Sequence, residues 1–533
     1  MSKFCRIPIK GKSLNQGRGP GNGHARWLKY SNDGTHKSCG SLFFASSPTI
    51  ARTLVTSSHA FLIGNAAFGT WDTSCSVESG FMKVNAPQST RRAFLVSTAA
   101  SAGALTLPFV QRVSAADAPS MRLRVASFGA ARRAWANITG IKAVPNTELV
   151  AVAEVDDRHL TQVRSQYPQT KVYKDFRRLL DSEAKNLDAV VIGTPDHMHA
   201  AMAMSAMQAG LHVYCEKPLT RTLHEARTLT NYAEENGIVT QMGNQRAQGD
   251  LNQTTVRALQ SGIVGTVREI HCMQAKTWGS MKPLRSPVQP PKGLDWDLWL
   301  GVRPDRPFVP EEFHPRMWRS RLGFGCGNLG DMGCHIFHPW FMGLNMAAPQ
   351  TIESLGPGPA DNVSWPTGVR VRWEFNGTQQ SGGKPFTVTW HDGGQAPPDH
   401  VAKAVGGRRN LISSGSIIIG SKGTLIAPHG GGNVRFIVNG VEEPGAFDLI
   451  KGSNNHHGNF ADAIRGENGV KQPLCHFGYS GPMAEAVLTG TYAVRVPGQK
   501  LQWNAEELQF TNSDAANSLV REPYRKGWEV AGL

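Results

Sequence analysis

Leu123-Arg124-Val125-Ala126-Ser127-Phe128-Gly129-Ala130-Ala131-Arg132-Arg133-Ala134 joins a short apolar run to a glycine turn and the opening of a helical pattern. Further apolar runs follow at 149–155, 187–192, 211–215 and 238–242, with helical patterns at 157–166, 199–209 and 223–236. Strands alternating with helices at this spacing predict an α/β fold built on a doubly wound parallel sheet. Ligands of such sheets bind beyond the carboxyl ends of the strands, so the residues that close each run matter most. The turn 129–134 stands where a dinucleotide fingerprint Gly-x-Gly-x-x-Gly/Ala belongs, and it reads Gly-x-Ala-x-x-Ala. Gly129 keeps the tight turn and Ala134 suits the third place. Ala131 sets a methyl, with Arg132 beside it, where the backbone must approach a pyrophosphate.

Glu154 closes the second run, 20 residues beyond Ala134. A carboxylate there accepts hydrogen bonds from a ribose diol and repels a 2′-phosphate, so NAD is expected over NADP. Arg158 pulls against that preference, and Asp156 is the alternative acid. The run 187–192 ends in Gly193-Thr194-Pro195-Asp196-His197-Met198-His199, the next in Cys215-Glu216-Lys217-Pro218, and the last in Gln241-Met242-Gly243-Asn244-Gln245. Pro218 lacks a donor and biases Lys217 to an extended conformation, aiming a cation from a strand end into the crevice. Such a charge stabilises the alkoxide that forms when a carbinol loses hydride.

Thr-Pro-x-x-x-His followed about 20 residues on by Glu-Lys-Pro resembles the paired signatures of the Gfo/Idh/MocA oxidoreductases, the glucose-fructose oxidoreductase and inositol dehydrogenase family. The resemblance runs from about Leu123 onward and departs from the family in the glycine loop. It implies a nicotinamide cofactor contacted by Gly129, Ala131, Arg132, Glu154 or Asp156, Thr194, Pro195, His199, Glu216 and Gln245, with Lys217 catalytic. It also implies a sugar or sugar derivative as substrate.

After Gly265 the pattern changes to alternating strands, at 267–273, 369–375, 386–390, 416–419, 424–426 and 435–438. These predict an α+β domain whose mostly antiparallel sheet opens on one face to the Rossmann domain. Within it, Gly323-Phe324-Gly325-Cys326-Gly327-Asn328-Leu329-Gly330-Asp331-Met332-Gly333-Cys334-His335 leads glycines into an amphipathic run. Asp331 falls near a helix start and His335 one turn later on the same face, a spacing at which a carboxylate can orient an imidazole or share a substrate with it. In the family the matching His is the acid/base that works with the Glu-Lys-Pro lysine. His335 suits that role through its ordinary pKa of about 6.5. Trp318 and Arg319 are candidates to stack on and hydrogen-bond a sugar, His338 is a weaker base, and His456-His457 line the cleft or cap a helix. No metal site is expected.

Bulk properties narrow the classes. The net charge of +15 is uneven: residues 1–115 hold 13 of the 56 Lys and Arg but 3 of the 41 Asp and Glu, which leaves +5 on the rest. That balance, with no basic stripe among aromatics, argues against nucleic acid. The 8 cysteines show no Cys-x-x-Cys spacing and no disulfide framework. Ser89-Thr90-Arg91-Arg92-Ala93-Phe94-Leu95 precedes a mildly apolar run to Val110, which resembles a twin-arginine export signal with Val113-Ser114-Ala115 as its cleavage site. The run is too short and polar for a membrane span. The expected organisation is 1–81 disordered or untranslated with Met82 as the working start, a signal over 82–115, a Rossmann domain over 121–245 and a substrate domain over 246–533. A homo-oligomer formed through the second sheet fits this plan. The expected activity is hydride transfer on a sugar by an exported enzyme. Its rivals are an NAD-dependent glycosidase that oxidises, eliminates, hydrates and reduces back, and a sugar-binding protein without turnover.

Overall fold

The computed structural model describes residues 122–533 apart from Met281 and Pro283. The expected signal at 82–115 and the stretch 1–81 lie outside the described residues.

Strands β1 (Leu123–Phe128), β2 (Thr147–Ala153), β3 (Lys171–Tyr173), β4 (Ala189–Ile192), β5 (His212–Glu216) and β6 (Thr240–Gly243) form a sheet in the order β3-β2-β1-β4-β5-β6. All of these pairings are parallel. All four residues of β4 are buried, which is why such runs read as continuously apolar rather than alternating. The strand order reverses between β1 and β4, and the crevice at their carboxyl ends is where ligands of this architecture bind. Helices Arg133–Lys142, Asp196–Gln208 and Leu223–Glu235 follow β1, β4 and β5. The last opens on a capping box: Thr222 Oγ1 accepts from Glu225 N, and the Glu225 carboxylate accepts from Thr222 N. The helix expected at 199–209 begins a turn earlier, since Pro195 fixes its entry and Asp196 suits the positive end of a helix. The pattern at 157–166 is a 3-10 turn Asp157–Leu160 running into a short helix Thr161–Gln166. β3 escapes a reading by periodicity because its three residues, Lys-Val-Tyr, include no buried one.

The second sheet has ten strands: β7 (Val267–Gln274), β8 (Pro349–Ser354), β9 (Arg370–Phe375), β10 (Phe386–Asp392), β11 (Ser414–Gly420), β12 (Thr424–Pro428), β13 (Arg435–Val438), β14 (Val441–Glu442), β15 (Lys500–Asn504) and β16 (Gln509–Phe510). Their order is β14-β13-β12-β11-β7-β10-β9-β8-β15-β16, antiparallel but for the parallel pair β7 and β10. The expectation of a face open to the first domain is corrected. Helices Gly327–Gly343 and Phe477–Arg495 lie on that face, with Trp373 Nε1 donating to Ala486 O at 3.0 Å and Ser416 Oγ to Ile336 O at 3.1 Å. Buried Trp373, Trp390 and Ile418 make it too apolar to leave uncovered. Helix Phe477–Arg495 also packs on helix Leu223–Glu235, so the two domains share one continuous core.

Candidate active site

A cleft of about 910 Å³ runs from the glycine turn to helix Gly327–Gly343, between the two domains. At its first end Gly129 has φ +95°, and a Cβ there would stand 3.0 Å from Ala134 Cβ. A Cβ on Gly193 would stand 2.6 Å from Ala134 Cα. Helix Arg133–Lys142 therefore starts hard against the end of β4, and Gly193 supplies closeness that the motif's third glycine would otherwise give. Ala131 and Arg132 line the cleft, and Arg132 holds φ 55° at the helix N-cap. Glu154 is buried at the end of β2. Its Oε2 accepts from Ala130 N at 2.9 Å and its Oε1 from Asp156 N at 3.0 Å. The acid expected at a ribose thus also pins the glycine turn to the neighbouring strand. This turn, helix N-terminus and strand-end carboxylate fit a dinucleotide.

Two expected cofactor residues are placed differently. Asp156 is fully buried and does not line the cleft. Burial pushes its carboxyl up, but Arg158 and His314 at 2.8 Å and closer hold it below its ordinary range. His199 is buried with its ring nitrogens 2.9 Å from Thr194 O and Pro218 O, so it ties the Thr-Pro turn to the Glu-Lys-Pro turn and is not among the residues that line the cleft. Thr194, Pro195, Glu216 and Gln245 do line the cleft. Glu216 Oε1 accepts from Asn137 Nδ2 at 3.0 Å and from Gln245 Nε2. Asp156, His159 and His314 bring ligand atoms within 4.8 Å of one another, a convergence of distant segments that a linear reading misses. There the Arg158 guanidinium already serves the Asp156 carboxylate as its cation.

At the other end Lys217 and Asp331 meet. Lys217 Nζ donates to Asp331 Oδ1 at 2.7 Å and to Asp331 O at 2.8 Å, and its side chain is 10% exposed. Burial pushes the Asp331 carboxyl up, yet Lys217, Arg319 and Lys276 together hold it well below the usual carboxylate range. The expectation that Asp331 orients His335 is corrected. Asp331 is spent on cations and on Trp278 Nε1 at 2.6 Å. His335 is instead held by Asn244, whose Oδ1 faces His335 Nδ1 at 2.5 Å. Asn244 Nδ2 donates to Cys334 O at 3.1 Å, which fixes the amide so that Oδ1 is the acceptor. Nδ1 of His335 therefore carries the proton, and Nε2 holds a lone pair. Burial, then the Lys217 charge and His429, push the His335 pKa well below its ordinary value, and the ring stacks on His429 at 5.1 Å.

Trp318 and Arg319 both line the cleft, Trp318 nearly buried with the Arg319 guanidinium 4.1 Å above its ring. His338 is fully buried against Tyr479, and His456 is buried on Met242 O, both away from the cleft. Asn244, Lys276, Trp278 and His429 were missed. Asn244 stands beside Gln245 at the end of β6, where its neighbour carries the sequence signal, whereas Lys276 and Trp278 follow β7 with no motif to mark them.

Residues 123–244 match the model described as an oxidoreductase family, NAD-binding Rossmann fold, and residues 256–373 match the same family's C-terminal alpha/beta domain. Over 110 residues the chain is 36% identical to the uncharacterized oxidoreductase C115.03 of Schizosaccharomyces pombe, covering 20% of this chain and 29% of that one. It is 25% identical over 185 residues to scyllo-inositol 2-dehydrogenase (NADP(+)) IolW of Bacillus subtilis, covering 35% and 42%. The chain spans about a third of the length of the first curated relatives it matches. Its fold is similar to that of the WlbA dehydrogenase from Bordetella pertussis, solved in complex with NADH and UDP-GlcNAcA, with a TM-score of 0.50 at 16% identity over 72% of this chain and 99% of that one. Both domains of one family occur here in sequence, each on its own sheet: residues 123–244 match the NAD-binding Rossmann domain of the Gfo/Idh/MocA oxidoreductases and residues 256–373 their C-terminal domain.

Proposed function

We propose that the protein moves a hydride between a carbinol carbon of a sugar and NAD, and that it does so after export. The observation that carries this reading is the pairing, across one cleft, of a fixed ammonium with an imidazole whose lone pair is free. NAD bound at the glycine turn supplies the hydride acceptor. Lys217 then faces the sugar oxygen and stabilises the negative charge that develops there. His335 Nε2 takes the hydroxyl proton, with Asn244 keeping Nδ1 protonated and the ring in place. Asp331 directs the Lys217 side chain into the cleft through its contacts at 2.7 and 2.8 Å.

The Arg91-Arg92 signal supports export of the folded, cofactor-loaded protein, because free dinucleotide is scarce outside the cytoplasm. Exported protein should begin near Ala116 and release NAD on denaturation, as read by N-terminal sequencing and mass spectrometry. Residues from 1–81 in the mature product would end the export reading. Accumulation of reduced nicotinamide on addition of a sugar supports net oxidation, and release of an aglycone with NAD unchanged would replace it with the glycosidase reading.

Glu154 supports NAD over NADP. Replacing Glu154 with Ala should narrow that preference and also weaken both cofactors, because Ala130 N loses its acceptor. A hydrogen bond to a charged group contributes about 1.5–3 kcal/mol, so NAD affinity should fall roughly 10–100-fold in a fluorescence titration. Unaltered protein that binds NADP more tightly than NAD would refute the assignment.

A further inference from the structure

One carboxylate at the substrate end of the cleft faces three cations. Lys217 and Arg319 reach Asp331 Oδ1 at 2.7 and 3.3 Å, and Lys276 reaches Oδ2 at 2.7 Å. Of the other acids lining the cleft, Glu216 already faces Arg133 at 3.9 Å, and Asp196 is raised to about 7 by burial and so offsets little of this charge. Arg132 and Arg133 stand apart at the glycine turn, at the other end of the cleft. Two positive charges are therefore uncompensated beside the reacting oxygen, in a site where water screens them poorly.

Arg319 is built to use that surplus. Its guanidinium lies 4.1 Å from the Trp318 ring centre and 5.4 Å from that of Trp278. Its Nε is spent on Asp331, its side chain is 24% exposed, and its two terminal nitrogens carry no hydrogen bond among the described residues. Lys276, 5.0 Å over the Trp278 ring and 43% exposed, uses one hydrogen bond on the carboxylate. A rigid fork with its outer edge unengaged, an ammonium alongside and an indole between them form a receptor for a planar anion attached to a ring.

Building on the hydride-transfer reading, we infer that the substrate is an acid sugar, its carboxylate taken by the Arg319 fork and Lys276 while its ring lies against Trp278. A carboxylate lies in the plane of the guanidinium fork and offsets part of the surplus charge, whereas a neutral sugar offsets none of it.

The test is calorimetric titration of the NAD-loaded protein with matched pairs: D-glucuronate against D-glucose, D-galacturonate against D-galactose, and glucose 6-phosphate as the dianion. The acids should bind roughly 10–100-fold more tightly than their neutral parents, with a preference that shrinks in added salt. Arg319→Met should abolish the preference and Arg319→Lys should retain part of it. Binding of NADH by both variants, read from nicotinamide fluorescence, shows that they fold. Equal affinity for acid and neutral members would overturn the anion receptor while leaving hydride transfer intact. A preference for the phosphate would overturn the carboxylate assignment. Tight acid binding without reduced nicotinamide would keep the receptor and remove the hydride-transfer reading, and binding by no member would remove both.

Discussion

Lys217→Met should lower turnover about 10²–10³-fold with little change in NAD affinity. Methionine keeps the length of the side chain and deletes the charge. A single preorganised contact to a developing oxyanion is usually worth that factor. The deletion leaves Asp331 with Lys276, Arg319 and Trp278 as partners, so the carboxylate stays compensated and the fold should hold. A second signature separates catalysis from scaffolding. The Lys217 charge is one of the causes that depress the His335 pKa, so its removal should let that pKa rise. The acid limb of the kcat/KM profile should move to higher pH in the variant. Near-normal turnover, or a limb that stays put while turnover falls, would show that Lys217 does not share a site with the base.

His335→Asn should cost roughly 10²–10⁴-fold in turnover, the usual contribution of a positioned general base. In the unaltered protein the group that must be unprotonated has its pKa pushed down by burial. Its neutral form therefore persists below the ordinary histidine value of about 6.5, and kcat/KM should hold through pH 6.5 and fall only on further acidification. An alkaline shift of that limb would contradict the assignment. Because both residues serve one step, the double variant should lose less than the product of the two single losses.

Much of this was legible before any coordinates. Apolar runs fixed by burial on both faces, as in β4, announce a parallel sheet, and Glu-Lys-Pro at the end of β5 marks the strand end that carries Lys217 into the cleft. Three things were not legible. Asp331 and His335 share a helical face by spacing, but which partner each takes is decided by residues 55 and 91 positions away, Lys276 and Asn244. The carboxylate goes to the cations because an unpaired buried charge costs more than an unpaired imidazole. His199 and Asp156 satisfy the motif, yet burial turns one into a tie between turns and the other into half of an ion pair. β3 has too few residues, none of them buried, to show a period.

The nucleotide end of the cleft is walled in part by Trp528, which sits on Phe176 and under the Arg177 guanidinium at 4.0 Å. Arg177 also donates to Gly527 O across 350 residues of sequence. During translation at about 5–20 residues per second, the first domain therefore waits roughly 20–70 s for its last wall. Until then Phe176 lacks the cover that Trp528 gives it. The wall of the pocket is thus made almost four hundred residues after its glycine turn.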